Sequence, residues 1–183
     1  MNSGTDELSS EAAAALTFAV DDLAPATPPA LTDLLAGLPT RRHARFVDDV
    51  ARLLDVDSSC ADRLLGEIDD AARWEPGFLP NMELLHVDGG AKVTDAITGF
   101  VRLPAGAHFP THRHLGDEQV LILQGYCREG DTTLGPGSII TRPAGSEHSF
   151  DVIEGGCDLL YLAIVHVGLE LGELVLRADD PRA

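Results

Sequence analysis

Three histidines and one glutamate in the C-terminal half of the chain have the types and spacing to do chemistry. His112 and His114 flank Arg113. Alternate residues of a strand share a face, so two imidazoles one residue apart can grip one ion from a single strand. Glu118 follows four positions after His114, beyond a bend containing Gly116, and can bring a carboxylate to the same ion. His148 comes after a Pro143-Ala144-Gly145 turn and can supply a third imidazole from a separate strand. Three neutral nitrogens and one carboxylate suit zinc, iron, manganese, nickel or copper better than magnesium or calcium. Any one of these residues alone has an ordinary explanation, as a loop side chain or a hydrogen-bonded core histidine. Together, at this spacing, they point to one divalent transition metal ion. No catalytic triad, phosphate-binding loop or dinucleotide fingerprint accompanies them, and no His-Asp or Tyr acid–base pair is evident beside them, so the catalytic residues stay unassigned.

Glycines and a proline punctuate the same region. Gly106 is followed by five residues and His112, one and His114, three and Glu118, six and Gly125. Gly137 is followed by five residues and Pro143, one and Gly145, two and His148. These strings resemble the two cupin motifs. The resemblance implies a double-stranded β-helix barrel of the RmlC-like, jelly-roll kind with a metal ion near one mouth. It places the ligand roles on His112, His114, Glu118 and His148. Val152 stands where the second motif often ends in asparagine. The short segment between the motifs, Tyr126 to Pro136, implies a compact single-domain cupin.

Phe109-Pro110-Thr111-His112-Arg113-His114, Gly116-Asp117-Glu118 and Arg142-Pro143-Ala144-Gly145-Ser146-Glu147-His148 further resemble the cupin domain of ChrR-type anti-sigma factors, over about Trp74 to Val167. In that family a zinc-binding barrel follows a helical module that holds an extracytoplasmic-function sigma factor inactive, and takes part in the response to singlet oxygen or organic peroxides. The family's helical module carries its own zinc on histidine and cysteine ligands. Here the first 59 residues hold only His43 and no cysteine, so those ligands are absent. The resemblance implies a regulator that senses a small molecule or oxidant, with zinc the first choice of metal ahead of iron, manganese or nickel. The same ligand set on Fe(II) would serve a small-molecule dioxygenase or related oxidoreductase, so the choice between regulator and enzyme stays open. An isomerase-like or sugar-binding cupin ranks behind both. A homodimer is expected because cupins often pair through their sheets. A sigma factor is the candidate protein partner, and a small molecule the candidate ligand in the barrel.

The elements that must position the cluster are legible as a change of texture. Residues 1–10 are polar and read as disordered. Glu11 to Val20 reads as a short helix, Ala24 to Ala30 as a proline-broken linker, and Leu31 to Leu38 as a helical turn. Phe46, Val50, Leu53 and Leu54 recur at helical spacing. After an N-cap at Asp57 or Ser58, Leu64, Leu65 and Ile68 mark a second helix, ended by Trp74-Glu75-Pro76-Gly77. Short β-prone runs then alternate with turns: Met82 to Val87, Ala96 to Leu103, Gln119 to Leu123, Ser138 to Thr141, Ser149 to Ile153, Leu159 to Val167 and Glu173 to Leu176. The expectation is a mainly β fold with a helical N-terminal extension over residues 1–73 and a cupin barrel over residues 74–183. Of the other histidines, His43 reads as solvated beside Arg41 and Arg42, His108 as a mouth residue, and His86 and His166 as core or rim hydrogen-bonding residues.

Composition narrows the partners. The 183 residues carry 30 acidic against 13 basic side chains, a formal charge of -17. Phosphate binding needs clustered Lys and Arg, so nucleic acid and anionic lipid are excluded as partners. The 44 % hydrophobic content supports a packed core. Cys60, Cys127 and Cys157 are odd in number and widely spaced, which suits reduced thiols in a cytoplasm. Asp6, Glu7 and Glu11 precede the apolar stretch Ala12 to Val20, so it lacks the positive start of an export signal.

Overall fold

A computed structural model of the chain describes residues 42–178 and 180. The readings for residues 1–10, Glu11 to Val20, Ala24 to Ala30 and Leu31 to Leu38 fall outside the described residues.

A single 3-10 turn, Ala44–Phe46, leads into helix α1 (Val47–Leu54), and helix α2 spans Ser58–Glu67. The connection is short because both ends are capped. Asp55 closes α1 in the left-handed region, with φ 56. Asp57 opens α2 by accepting a hydrogen bond from the Cys60 amide at 2.8 Å. Asp55 also accepts from Lys92 Nζ at 2.7 Å, which ties this corner to the turn before the barrel. The Trp74 indole donates to the Ile68 carbonyl at 3.0 Å, so the aromatic that follows α2 satisfies one of its last acceptors.

The strands follow in chain order: β1 (Glu75–Pro76), β2 (Glu83–His86), β3 (Ala96–Leu103), β4 (His108–His114), β5 (Glu118–Gln124), β6 (Cys127–Glu129), β7 (Thr132–Leu134), β8 (Ile139–Arg142), β9 (Glu147–Val152), β10 (Leu159–His166), β11 (Gly168–Leu171) and β12 (Leu174–Arg177). Among the described residues they form two antiparallel six-stranded sheets, ordered β1-β2-β3-β10-β5-β8 and β12-β11-β4-β9-β6-β7. This is the mainly β double-sheet fold, preceded by helix, that the motifs imply. Gly125 turns the chain at the end of β5 with φ 75, and a side chain there would meet the Asp158 carbonyl at 2.6 Å.

The central strand of the first sheet, β10, is buried on both faces. Phe100, Leu121, Leu123, Leu160, Leu162 and Ile164 share one apolar cluster with Val50, Leu54, Leu64 and Leu65 of the helices. Their chain neighbours Val101, Ile122, Leu159, Tyr161, Ala163 and Val165 belong to a second cluster inside the barrel. A strand covered on both sides needs apolar residues at every position, and β10 meets that with Leu159 through Val165 all buried. The helical hairpin therefore occupies the outer face of this sheet. His43 is 4 % exposed and buried rather than solvated, because it sits at the start of the turn that seats Phe46 in the same helix-side cluster. His86 is exposed, and His166 lies 3.0 Å from Asp95 through Nδ1.

Candidate metal centre

Strict alternation along β4 would put Phe109 and Thr111 on one face. The ladder slips instead: Phe109 stands opposite Phe150 and His112 opposite His148, three steps on β4 against two on β9. The bulge at Pro110-Thr111 changes parity, so that Phe109, His112 and His114 are all buried. Proline fits such a position because it has no N–H to give to the ladder. The bulge also orients the site. The Pro110 carbonyl lies 3.0 Å from His112 Nδ1, and the tautomer that donates to it leaves the lone pair on Nε2.

The turns that present Glu118 and His148 are joined to one another. Asp117, just before Glu118, accepts from the Ala144 amide at 3.0 Å. The Gly145 amide donates to the His114 carbonyl at 2.7 Å, and the His114 amide to the Ser146 carbonyl at 3.0 Å. Gly116 packs so close to the His166 carbonyl that a side chain would collide with it.

His112, His114 and His148 form one cluster, and the fourth side chain singled out in the sequence, Glu118, stands beside His114 and His148. One ring nitrogen from each of His112, His114 and His148 lies within 4.8 Å of the others. His114 Nε2 is 3.1 Å from His148 Nε2. Glu118 Oε2 is 3.4 Å from His114 Nε2 and 3.9 Å from His148 Nε2. His114 is fully buried and Glu118 is 7 % exposed. Glu118 Oε2 has no hydrogen-bond partner among the described residues. Arg142 Nε stands 3.5 Å from it as an ion pair; a buried carboxylate oxygen without a hydrogen bond, facing imidazole nitrogens, is costly in a protein interior and fits a cation.

Electrostatics prepare the nitrogens. Burial lowers the His148 pKa to about 3, with the charges of His112, Arg142 and His114 adding to the effect. Burial lowers His114 to about 4, helped by His112 and Arg142. Burial likewise lowers His112. These imidazoles are neutral near pH 7, the form a metal requires. Burial raises Glu118 to about 7, opposed by Arg142 and reinforced by Glu129. Below that pH a cation must expel a proton from Glu118, but none from His114 or His148 until the solution is far more acidic. Log zinc affinity is therefore expected to rise with pH below about 7, as Glu118 gives up its proton, and to level off above. Chelator-competition titrations across that range check this, and a slope near three would show that the histidines carry protons there.

Three further residues belong to the site and escaped the sequence reading. Arg142 ends β8 directly opposite Glu118. Its Nε donates to His148 Nε2 at 3.0 Å and its Nη2 pairs with Glu129 of β6, so it bridges the two sheets. A metal held by His148 Nε2 would take over the lone pair that the guanidinium now shares. Glu129 Oε1 lies 3.4 Å from His148 Nδ1. Tyr161 of β10 lines the same interior. A cavity of about 90 Å³ opens beside the cluster, walled by Phe78, Ile122, Phe150, Leu159 and other apolar side chains. Phe150 stacks on Phe109 at 5.0 Å between ring centres.

The profile of the ChrR cupin-like domain matches residues 68–164, which is 97 of the 183 residues. The chain belongs to this family. The match runs from the end of α2 into β10 and contains the whole cluster of this ChrR cupin-like chain. Among solved structures it is similar to a chain of the Rhodobacter sphaeroides complex of SigE with the anti-sigma ChrR, at 23% identity over 83% of this chain and 75% of that one, with a TM-score of 0.52. An acetylacetone dioxygenase from Acinetobacter johnsonii is similar at 13% identity over 59% of this chain and 81% of that one, with a TM-score of 0.48. KdgF from a Halomonas species is similar at 19% identity over 54% and 91%, with a TM-score of 0.43. No protein of curated function matches the sequence.

Proposed function

We propose that this chain is a metal-binding regulatory cupin whose barrel registers a small molecule or oxidant and passes the signal to a protein partner. The observation that carries this reading is the cluster of His112, His114 and His148 with the Glu118 carboxylate 3.4 Å from His114 Nε2, in a member of the ChrR cupin-like family. These four residues would hold the ion. When bound, it supplies positive charge and Lewis acidity at the end of an apolar cavity. Zinc is the first choice: it is redox-silent, and four protein ligands close its tetrahedral shell. A sigma factor of the extracytoplasmic-function class is the first candidate partner, in the cytoplasm. No helix among the described residues is long and apolar enough to cross a membrane. With the outer face of the first sheet covered by α1 and α2, a homodimer would pair through other surfaces.

Elemental analysis of untagged protein tests the reading. One equivalent of zinc without iron supports it, and a sigma factor retained through purification supports the partner. One equivalent of iron, manganese or nickel overturns the choice of zinc. A second reading, a metal-dependent dioxygenase or related oxidoreductase, is favoured by the cavity that reaches the cluster. It predicts oxygen uptake by the iron-loaded protein with small diketones, thiols or phenols.

A further inference from the structure

The cavity holds more than a metal cluster. Its charged lining residues are Glu118, Glu129 and Arg142. With Glu118 ionised as a metal ligand, two carboxylates and one guanidinium sum to one negative charge, and a divalent ion at the histidines turns it to one positive. A low-dielectric pocket with a single excess positive charge is satisfied by one monoanion. Two groups are free to meet it. Arg142 donates through Nε and Nη2, and no hydrogen bond of its Nη1 is made within the described residues. The Tyr161 side chain is 93 % removed from solvent, being 7 % exposed. It lines the cavity on the inward face of β10, and its hydroxyl makes no hydrogen bond within the described residues.

We propose that the barrel binds a small organic monoanion. Its oxyanion head is held by the metal ion, the Arg142 guanidinium and the Tyr161 hydroxyl, and its short apolar tail lies against Ile122, Phe150 and Leu159. This rests on the metal-site reading above. Size sets the class: about 90 Å³ is several times the volume one water needs and less than the cavity of about 150 Å³ that takes benzene, so a ligand of no more than about six non-hydrogen atoms fits. Carboxylates, enolates and hydroperoxide anions with two to four carbons share this chemistry. Burial, with Glu118 and then Cys127 contributing, holds the Tyr161 hydroxyl well above its ordinary range, so it stays a donor. The pairing of Arg142 with Glu129 keeps its guanidinium fork in one orientation. The surrounding wall of aromatic and aliphatic side chains gives a polar tail no partner.

Butyrate, with six non-hydrogen atoms, is the probe, and butyramide its neutral counterpart. Each is titrated calorimetrically into the full-length protein loaded with zinc, whose zinc content is measured beforehand. Butyrate is expected to bind at least tenfold more tightly than butyramide. Tyr161→Phe, an isosteric change, is expected to weaken butyrate roughly tenfold or more, to weaken butyramide by less, and to leave zinc content as it was, since a hydrogen bond to a charged group is lost. Arg142→Gln is expected to weaken butyrate by at least as much. Equal binding of butyrate and butyramide, or undiminished butyrate binding by zinc-loaded Tyr161→Phe, overturns the anion site and leaves the metal reading standing. A protein that takes up no zinc, iron or manganese overturns the metal reading before any anion is added.

Discussion

A His112→Ala/His114→Ala protein is expected to emerge with less than about a tenth of an equivalent of metal, where the parent holds one. The physical argument is a division of binding free energy. Structural zinc sites bind with about 10–16 kcal/mol, so each of four ligands carries on the order of 3 kcal/mol and the loss of two weakens binding by about a thousandfold or more. The two imidazoles come from one strand on one side of the bulge, and their removal leaves only Glu118 and His148, on different sheets. The measurement is metal content after dialysis, paired with circular dichroism. The ladder of β4 with β9 and β11 is made by backbone groups, so the barrel should persist. A double variant that still holds a full equivalent would sink the assignment of the ligands.

Leu162→Ala is expected to cost about 3 kcal/mol of folding stability, within the range of about 2–5 kcal/mol for buried leucine truncations. Leu162 is fully buried at the middle of β10, the central strand of its sheet, opposite Phe100 on one side and Leu121 on the other. All three face the helical hairpin, so the truncation opens a void between sheet and helices while the Tyr161 side of the strand is untouched. Urea denaturation of the metal-loaded protein gives the value, and zinc stoichiometry should stay at one. A loss below about 1 kcal/mol would show that the hairpin adds little to the barrel. A loss of zinc would show that the two faces of the sheet are coupled.

These two experiments probe opposite faces of the same fold, and they differ in how far the residues could be read in advance. His112, His114, Glu118 and His148 could be grouped because local rules act at short range. Alternation pairs His112 with His114, a glycine-containing bend delivers Glu118, and a proline-glycine turn delivers His148. The helix breaks and Asp57 cap were legible for the same reason. So were most strands, where turn residues bracket β-prone runs. The strands that escaped are those that short-range pattern cannot mark. β1 has two residues and β6 and β7 three each, too few for a period to register. β11 is hidden in the sequence because the apolar run of β10 continues to Val167, and the break comes from a left-handed valine, φ 64, a conformation that β-branched residues rarely adopt.

What the sequence by itself determined was the chemistry available: three imidazoles and a carboxylate in two turn-bracketed motifs, a mainly β chain with helices ahead of it, and an excess of acidic over basic side chains. What the tertiary structure alone decided was the company those groups keep. Residue 142 stands opposite residue 118 only through the register of β5 against β8. Arg142 reaches Glu129 only because β8 and β6 lie in different sheets that face each other. Tyr161 was one residue in an unbroken apolar run. Such a run has no period to say which side faces a helix and which a cavity, because both sides are buried. Registers and facing surfaces are fixed by long-range packing, and these set both the charge of the pocket and its polar contacts.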